Sequence, residues 1–212
     1  MKKTTVLLVD DHELVRAGFR RLLEDDDVFT VVSEAGSGEE AVQEYSKLHP
    51  DVVVMDISMP GIGGIGAIER IIARYPEAKI LVLSVHEDSV FTTRALQAGA
   101  KGFMPKRTAP EEMIKAVEQV ANGKMCIDPA IAQEIAMQKM TGTNSIIDSL
   151  SQREFEIFRL LAEGKTVNEI ADILSLSPKT VGTHHTSIKQ KLGVSNSAEI
   201  ARLAIRSGLL DA

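Results

Sequence analysis

The chain is short of the residues that mark secreted and membrane proteins. It has one cysteine, Cys126, and no tryptophan among 212 residues, so no intramolecular disulfide can form. No apolar run approaches the ~20 residues of a membrane helix. The first apolar run stops at Val9, before two aspartates, whereas the core of a secretory signal takes about 7–15 apolar residues. We therefore expect a cytoplasmic protein with no membrane partner.

Positive charge is also scarce. The formal net charge of -6 argues against a protein that coats nucleic acid without selectivity. The charge is unevenly distributed, however. Residues 149–212 hold eight basic and seven acidic side chains, whereas the rest of the chain holds 16 basic and 23 acidic ones. This asymmetry indicates two different modules.

Four short apolar runs each end on a chemically active residue. The runs are 6–9, 52–55, 80–83 and 102–105, and the residues that follow them are Asp10 with Asp11, Asp56, Ser84 and Lys106. Short runs rich in Val, Leu and Ile are typical of buried parallel strands. Because ligands bind at the carboxyl ends of such strands, we expect these five side chains to meet at one edge of one sheet.

The order of elements predicts two domains. Residues 1–123 alternate strand and helix patterns in five β/α units, which predicts a five-stranded doubly wound parallel sheet of flavodoxin-like order 2-1-3-4-5. Residues 124–148 are expected to form a linker, with a helix over 130–140 capped by Asp128. Residues 149–212 then lack strand patterns, and caps such as Ser151 with Glu154 predict a smaller all-α domain with helices at 152–163, 167–174, 178–191 and 197–207.

The predicted sheet edge suits a divalent cation and a phosphoryl group. Clustered carboxylates repel one another and need a counter-charge, and Mg²⁺ favours one or two carboxylates, waters and a phosphate oxygen. Lys106 adds a fixed positive charge and Ser84 a hydroxyl. Asp56 stands alone at its strand end, so it is the best candidate for a nucleophile that becomes an aspartyl phosphate.

The predicted helix 178–191 carries three lysines and no acidic residue. Val181, Ile188 and Leu192 have core spacing, whereas Lys179, Gly182, Thr183 and Thr186 fall off that stripe. A tight turn joins this helix to a short preceding one, as in a helix-turn-helix that enters the major groove. A small bundle with a solvated basic face is the alternative that charge alone leaves open.

The first module resembles the receiver domain of two-component response regulators. The resemblance rests on Val-Asp-Asp-His at 9–12, Met-Asp-Ile-Ser-Met-Pro-Gly at 55–61, Ser84 and Lys106. It implies a phosphoacceptor, not a classical enzyme, in which a sensor histidine kinase phosphorylates Asp56. It also implies Mg²⁺ at Asp10, Asp11, Asp56 and the Ser58 backbone carbonyl, and a conformational switch at Ser84 and Phe103. Gly63 and Gly66 depart from the acidic residues usual at their positions.

The second module is similar to LuxR-type helix-turn-helix domains, through Leu-Ser-Gln-Arg-Glu at 150–154, Asn-Glu-Ile-Ala at 168–171 and Lys-Thr-Val at 179–181. The whole chain therefore resembles the NarL/FixJ class of response regulators, which implies a transcription regulator that binds an operator in double-stranded DNA as a phosphorylated homodimer. The implied DNA-binding residues are Lys179, Thr180, Gly182, Thr183, Thr186, Lys189 and Lys191, and the implied dimer contacts are Ile200, Leu203 and Ala204. A constitutive DNA binder whose receiver is only a protein-interaction scaffold remains the alternative.

Overall fold

A parallel sheet of order β2-β1-β3-β4-β5-β6 forms the first part of the chain. Its strands are β1 (Thr4–Val9), β2 (Phe29–Ala35), β3 (Val52–Asp56), β4 (Ile80–Ser84), β5 (Gly102–Pro105) and β6 (Cys126–Ile127). The computed structural model describes residues 3–25, 27–85, 89–141, 146–207 and 209–210. The predicted flavodoxin-like fold is confirmed, and the two-residue β6 extends the predicted five strands to six.

Helices cover the sheet of this first part. They are α1 (Glu13–Glu24), α2 (Gly38–Leu48), α3 (Gly63–Arg74), α4 (Ser89–Gln97) and α5 (Pro110–Ala121). The helix α6 (Pro129–Thr141) follows β6 along the chain. Alternate strand residues such as Val6, Leu8 and Val54 share one core with Leu23 of α1 and Val117 of α5. This period of two means that the neighbouring residues of each strand face the opposite layer.

The strand order places the predicted site residues together. The chain runs from β1 to β2 on one side and from β3 onward on the other, so β1 and β3 flank the switch point of the sheet. Asp10 directly follows β1, and Asp56 is the last residue of β3. Both carboxylates therefore reach the crevice at which open α/β sheets bind ligands.

Four helices follow a 3-10 turn at Ile146–Ser149: α7 (Gln152–Ala162), α8 (Val167–Ile173), α9 (Pro178–Leu192) and α10 (Ser197–Arg206). Each predicted helix is present within two residues of its expected bounds. The caps are also confirmed, because Ser151 and Thr166 form complete capping boxes and Ser177 accepts a hydrogen bond from the Thr180 amide.

The chain divides into two compact units at residues 1–135 and 136–212. The predicted linker, 124–148, therefore contains the edge strand β6 and the helix α6, whose first turn is capped by Asp128 Oδ1. Residues 142–145 of that linker lie outside the described part of the chain. Within the described residues, none of the helices has the length and apolar character needed to cross a membrane.

Candidate functional site

Four side chains converge where β1 and β3 end. Asp10, Asp11, His12 and Asp56 each offer a ligand atom within 4.8 Å of the others. Asp10 and Asp56 are buried, at 3% and 2% exposure, whereas Asp11 and His12 face solvent. The sequence predicted the three carboxylates of this group. It did not assign His12 a role, although this residue follows the aspartates directly.

Lys106 is the cation of the pocket. Its Nζ donates hydrogen bonds to Asp10 Oδ2 at 2.5 Å and to Asp56 Oδ2 at 2.8 Å. Burial alone would lower the pKa of Lys106, but these two carboxylates outweigh it and raise that pKa. Burial raises the pKa of Asp56, and Lys106 counteracts that rise only in part. The ammonium thus holds the buried carboxylates in an ordered, close arrangement.

The remaining predicted pocket residues are Ser58, just after β3, Ser84, at the end of β4, and Phe103, in β5. The Ser58 amide donates to Asp56 Oδ1 at 3.1 Å. Ser84 is fully buried at the end of β4, and its carbonyl accepts a 2.7 Å hydrogen bond from the Lys106 amide, which ties the ends of β4 and β5 together. Phe103 pairs with Val82 in the sheet and is fully buried, so its ring lies inward in this structure.

The donor set fits a hard divalent cation. Three carboxylates face one ammonium, which leaves two net negative charges in a small volume. Mg²⁺ binds oxygen ligands of this kind and would balance that charge. The pocket therefore offers anionic ligands for a cation, and Lys106 offers a positive group to an anionic ligand.

The second candidate site is the exposed face of α9. Val181, Ile188 and Leu192 are buried, as their spacing predicted. Exposed residues form a stripe along the opposite face: Lys179, Thr183, Thr186 and Gln190. Gly182 and Lys189 are half-buried beside this stripe. The sequence interpretation missed Gln190, although it lies four residues after Thr186 and so on the same face.

Two predicted DNA contacts of α9 have partners within the second unit. Thr180 Oγ1 lies 2.8 Å from Ser177 Oγ in the helix cap. Lys191 Nζ donates to Glu154 Oε2 at 2.6 Å, and Ser187 donates to Glu154 Oε1 at 2.6 Å. Burial would raise the pKa of Glu154, but these hydrogen bonds and those from Ser151 lower it to about 2. Glu154 therefore joins the start of α7 to α9.

The helix α10 packs against α7. Ile200 and Ala204 are fully buried there, and Leu203 is half-buried. A fully buried side chain cannot reach a second subunit unless the domain repacks, so Ile200 and Ala204 serve the core. Ile205, at 41% exposure, is an apolar side chain on the surface of α10 that the sequence interpretation did not select.

Two known families match the chain, one within each of its two compact units. Residues 6–118 match the response regulator receiver domain, and residues 148–204 match the bacterial regulatory proteins of the luxR family. These matches cover the acidic pocket and the helix-turn-helix respectively.

Relatives match over nearly the whole chain. The response regulator GacA of Pseudomonas aeruginosa and the response regulator UvrY of Escherichia coli are each 44% identical over 209 residues, with 98% of this chain covered and 98% and 96% of theirs. Among solved structures, RcsB from Salmonella enterica serovar Typhimurium, bound to a promoter with the phosphomimetic BeF₃⁻, is 29% identical. The match covers 95% of this chain and 98% of RcsB, with a TM-score of 0.67.

Proposed function

Because the chain belongs to the family of response regulators that join a receiver domain to a LuxR-type DNA-binding domain, we propose that Asp56 is its phosphoacceptor and that α9 reads its operator. The observation that carries this proposal is the contact between the buried Asp56 carboxylate and Lys106, at 2.8 Å, beside two further carboxylates. The family acts with sensor kinases and binds DNA. A sensor histidine kinase and a double-stranded operator are therefore the partners that this assignment gives the chain.

Phosphoryl transfer needs a positioned oxygen nucleophile. An Asp56 carboxylate oxygen attacks the phosphorus of a phosphohistidine, an O–P bond forms, and the breaking N–P bond returns its electron pair to the imidazole. Lys106 already lies against Asp56 Oδ2 and can pair with a phosphoryl oxygen after transfer. Asp10, Asp11, Asp56 and the Ser58 carbonyl would hold Mg²⁺, whose charge would offset the negative charge of the phosphoryl group.

The response to phosphorylation begins at Ser84. This buried residue ends β4, and its carbonyl holds the Lys106 amide. A hydrogen bond from its hydroxyl to a phosphoryl oxygen would pull the end of β4 toward Asp56, and Phe103 packs on the neighbouring strand. The receiver thereby gains two states that phosphorylation biases, as a switch requires.

The active form is proposed to be a homodimer that acts in the cytoplasm on two operator half-sites. RcsB, a structural neighbour of this chain, is solved bound to a promoter with BeF₃⁻. On α10, the half-buried Leu203 and the exposed Ile205 are the apolar residues left available for the contact between subunits.

Light scattering with Mg²⁺, with and without beryllofluoride, tests this function. Wild type should change from monomer to dimer and gain affinity for operator DNA, whereas Asp56→Asn should do neither. Asp27→Asn, which alters a surface carboxylate of the same unit, serves as the matched control and should behave as wild type. Equal mass and equal DNA binding in all samples would overturn the proposal and favour a constitutive DNA binder with a scaffold receiver.

A further inference from the structure

The exposed stripe of α9 has an unusual distribution of charge. Lys179 begins the stripe and Gln190 ends it, and the two central residues are threonines. No lysine or arginine occurs between residues 180 and 188. Arg or Lys bound to guanine is the commonest specific contact of a DNA-reading helix. The centre of this stripe lacks the side chains for such a contact.

Both threonine hydroxyls donate their hydrogen to the helix itself. Thr183 Oγ1 donates to the Lys179 carbonyl at 3.1 Å, and Thr186 Oγ1 donates to the Gly182 carbonyl at 3.0 Å. A hydroxyl has only one hydrogen to donate. Each oxygen is therefore left as an acceptor, and each side chain also presents a methyl group.

An acceptor oxygen beside a methyl group matches one kind of base pair. In the major groove, the N6 amino group of adenine and the N4 amino group of cytosine are both donors, but only the A·T pair also offers a C5 methyl group, on thymine. A threonine whose hydroxyl donates to its own helix cannot also donate to guanine, and the side chain carries no charge that would attract guanine. Adenine and thymine together satisfy both of its exposed groups.

The spacing of the threonines fits two neighbouring base pairs. Three residues of α-helix correspond to about 4.5 Å along the axis, and successive bases of one strand are ~3.4 Å apart. Gly182 lies beside Thr183 and Thr186, and an added Cβ there would meet nothing within 4 Å. The helix can therefore approach the base edges closely at this point.

We propose that Thr183 and Thr186 read two adjacent A·T pairs in each operator half-site. Each methyl group packs against a thymine methyl, and each oxygen accepts a hydrogen bond from an adenine N6 amino group. This inference rests on the proposed function, in which α9 enters the major groove of an operator.

The test starts from the full chain, activated with Mg²⁺ and beryllofluoride. A preferred duplex is selected from random DNA, and each thymine is then replaced by deoxyuracil, which removes only the C5 methyl group. At two adjacent positions in each half-site, this replacement should weaken binding of the protein about fourfold, since a buried methyl group is worth ~0.8 kcal/mol. Thymines outside these positions should tolerate the replacement.

Matched variants assign each contact. Thr183→Ser and Thr186→Ser keep the hydroxyl and remove the methyl, so each should abolish the deoxyuracil penalty at one position only. Thr183→Val and Thr186→Val keep a methyl group and remove the acceptor, so each should eliminate the penalty of replacing the paired adenine with purine, which lacks the N6 amino group.

The outcomes separate this inference from the proposed function. A selected site with G·C pairs at the centre of each half-site, or one without any deoxyuracil penalty, would overturn the threonine assignment and leave a sequence-specific regulator. Failure to enrich any sequence would instead overturn operator binding itself. Penalties that persist unchanged in both serine variants would also contradict the assignment.

Discussion

Lys191 of α9 lies with its Nζ 2.6 Å from Oε2 of Glu154, near the start of α7. The carboxylate is buried, and it also accepts from Ser187 of α9 and from the Ser151 amide of the helix cap. A single side chain thus joins the capping box of α7 to α9. Removing Lys191 would leave the buried Glu154 carboxylate without its counter-charge.

Lys191 and Lys179 are expected to differ in their effect on DNA binding. Lys179→Met should reduce the slope of log affinity against log salt by about 0.9 for each phosphate that the lysine neutralises in wild type. Lys191→Met should change this slope less and should destabilise the second unit by about 2 kcal/mol, because its charge is engaged by Glu154. Binding titrations over a salt series, with hydrogen exchange of α7 and α9, would measure both effects.

An equal reduction of the slope in both variants would show that Lys191 leaves Glu154 for a phosphate when DNA binds. That result would restore Lys191 as a residue that binds a DNA phosphate, which the family resemblance implies.

Glu154 should make the second unit sensitive to acid. Its pKa of about 2 lies below the ordinary value of 4.5. A carboxyl whose pKa is lower in the folded state stabilises the fold above its unfolded pKa, and this stabilisation is lost as pH falls through the folded pKa. The stability advantage of wild type over Glu154→Gln should therefore be full above about pH 5 and should shrink toward pH 2.

Hydrogen exchange of the α9 amides in the full chain, followed from about pH 6 to about pH 2.5 in both proteins, measures this difference directly. The other carboxyl groups titrate alike in wild type and in Glu154→Gln, so their contributions to the stability difference cancel. Glu163→Gln, which alters an exposed carboxylate of the same unit, is the control. A constant difference across the pH range would contradict the role given to Glu154.

Local signals made much of the molecule predictable. A few consecutive residues are enough to predict the strands that end at Asp56 and Ser84 and the helix caps at Ser151 and Thr166. The structure confirms these strands and caps. The strand β6 has only two residues, too few to show a period. Glu154, the partner of Lys191, lies 37 residues away in the sequence. The residues next to Lys191 therefore give no indication of this ion pair.

The α10 residues illustrate a second limit. Ile200 and Ala204 have the spacing of an apolar stripe, and the same stripe would serve a domain core or a subunit interface. Only packing against α7 distinguishes these two uses. His12 and Gln190 did carry local signals, since His12 directly follows the two aspartates and Gln190 lies four residues after Thr186.

Gly64 is expected to be essential for the geometry of Asp56. A Cβ added at Gly64 would lie 2.0 Å from the Asp56 carbonyl oxygen and 2.6 Å from Ile57 Cα. Gly64→Ala must therefore displace the backbone at Asp56 and should destabilise the first unit by more than about 2 kcal/mol. Urea unfolding followed by hydrogen exchange would measure the destabilisation.

Gly66→Ala is the matched comparison. Its Cβ would meet only Ile62 Cβ, at 3.4 Å, and alanine is favoured over glycine in a helix by about 1 kcal/mol. This variant should therefore be neutral or stabilising. If both variants were destabilised equally, the close approach at Gly64 would not be the cause.

Asp11 should control the affinity of the pocket for Mg²⁺ more than the stability of the fold. It is the most exposed of the three carboxylates, and Lys106 contacts the other two. Asp11→Asn should weaken Mg²⁺ binding by about tenfold or more, since even the loss of a residue that only orients a metal ligand costs about 10–100-fold. Calorimetric titration with Mg²⁺ measures the affinity, and Asp27→Asn is the control. Unchanged affinity would remove Asp11 from the ligand set.

Gly182→Lys should add a side-chain contact to DNA at a position where glycine has no side chain to offer. A Cβ added at Gly182 would meet nothing within 4 Å, so a side chain can begin there without a clash. One new cation on the groove-facing side should steepen the salt slope by about 0.9 for each phosphate it neutralises, or should shift selection toward guanine where it reaches a base edge. Gly182→Ala separates the effect of the added charge on DNA affinity from the effect of helix stability. Alanine strengthens the helix by up to about 1 kcal/mol without adding charge. If lysine and alanine raised affinity alike, with the same salt slope, the gain would come from helix stability, and Gly182 would lie away from the DNA.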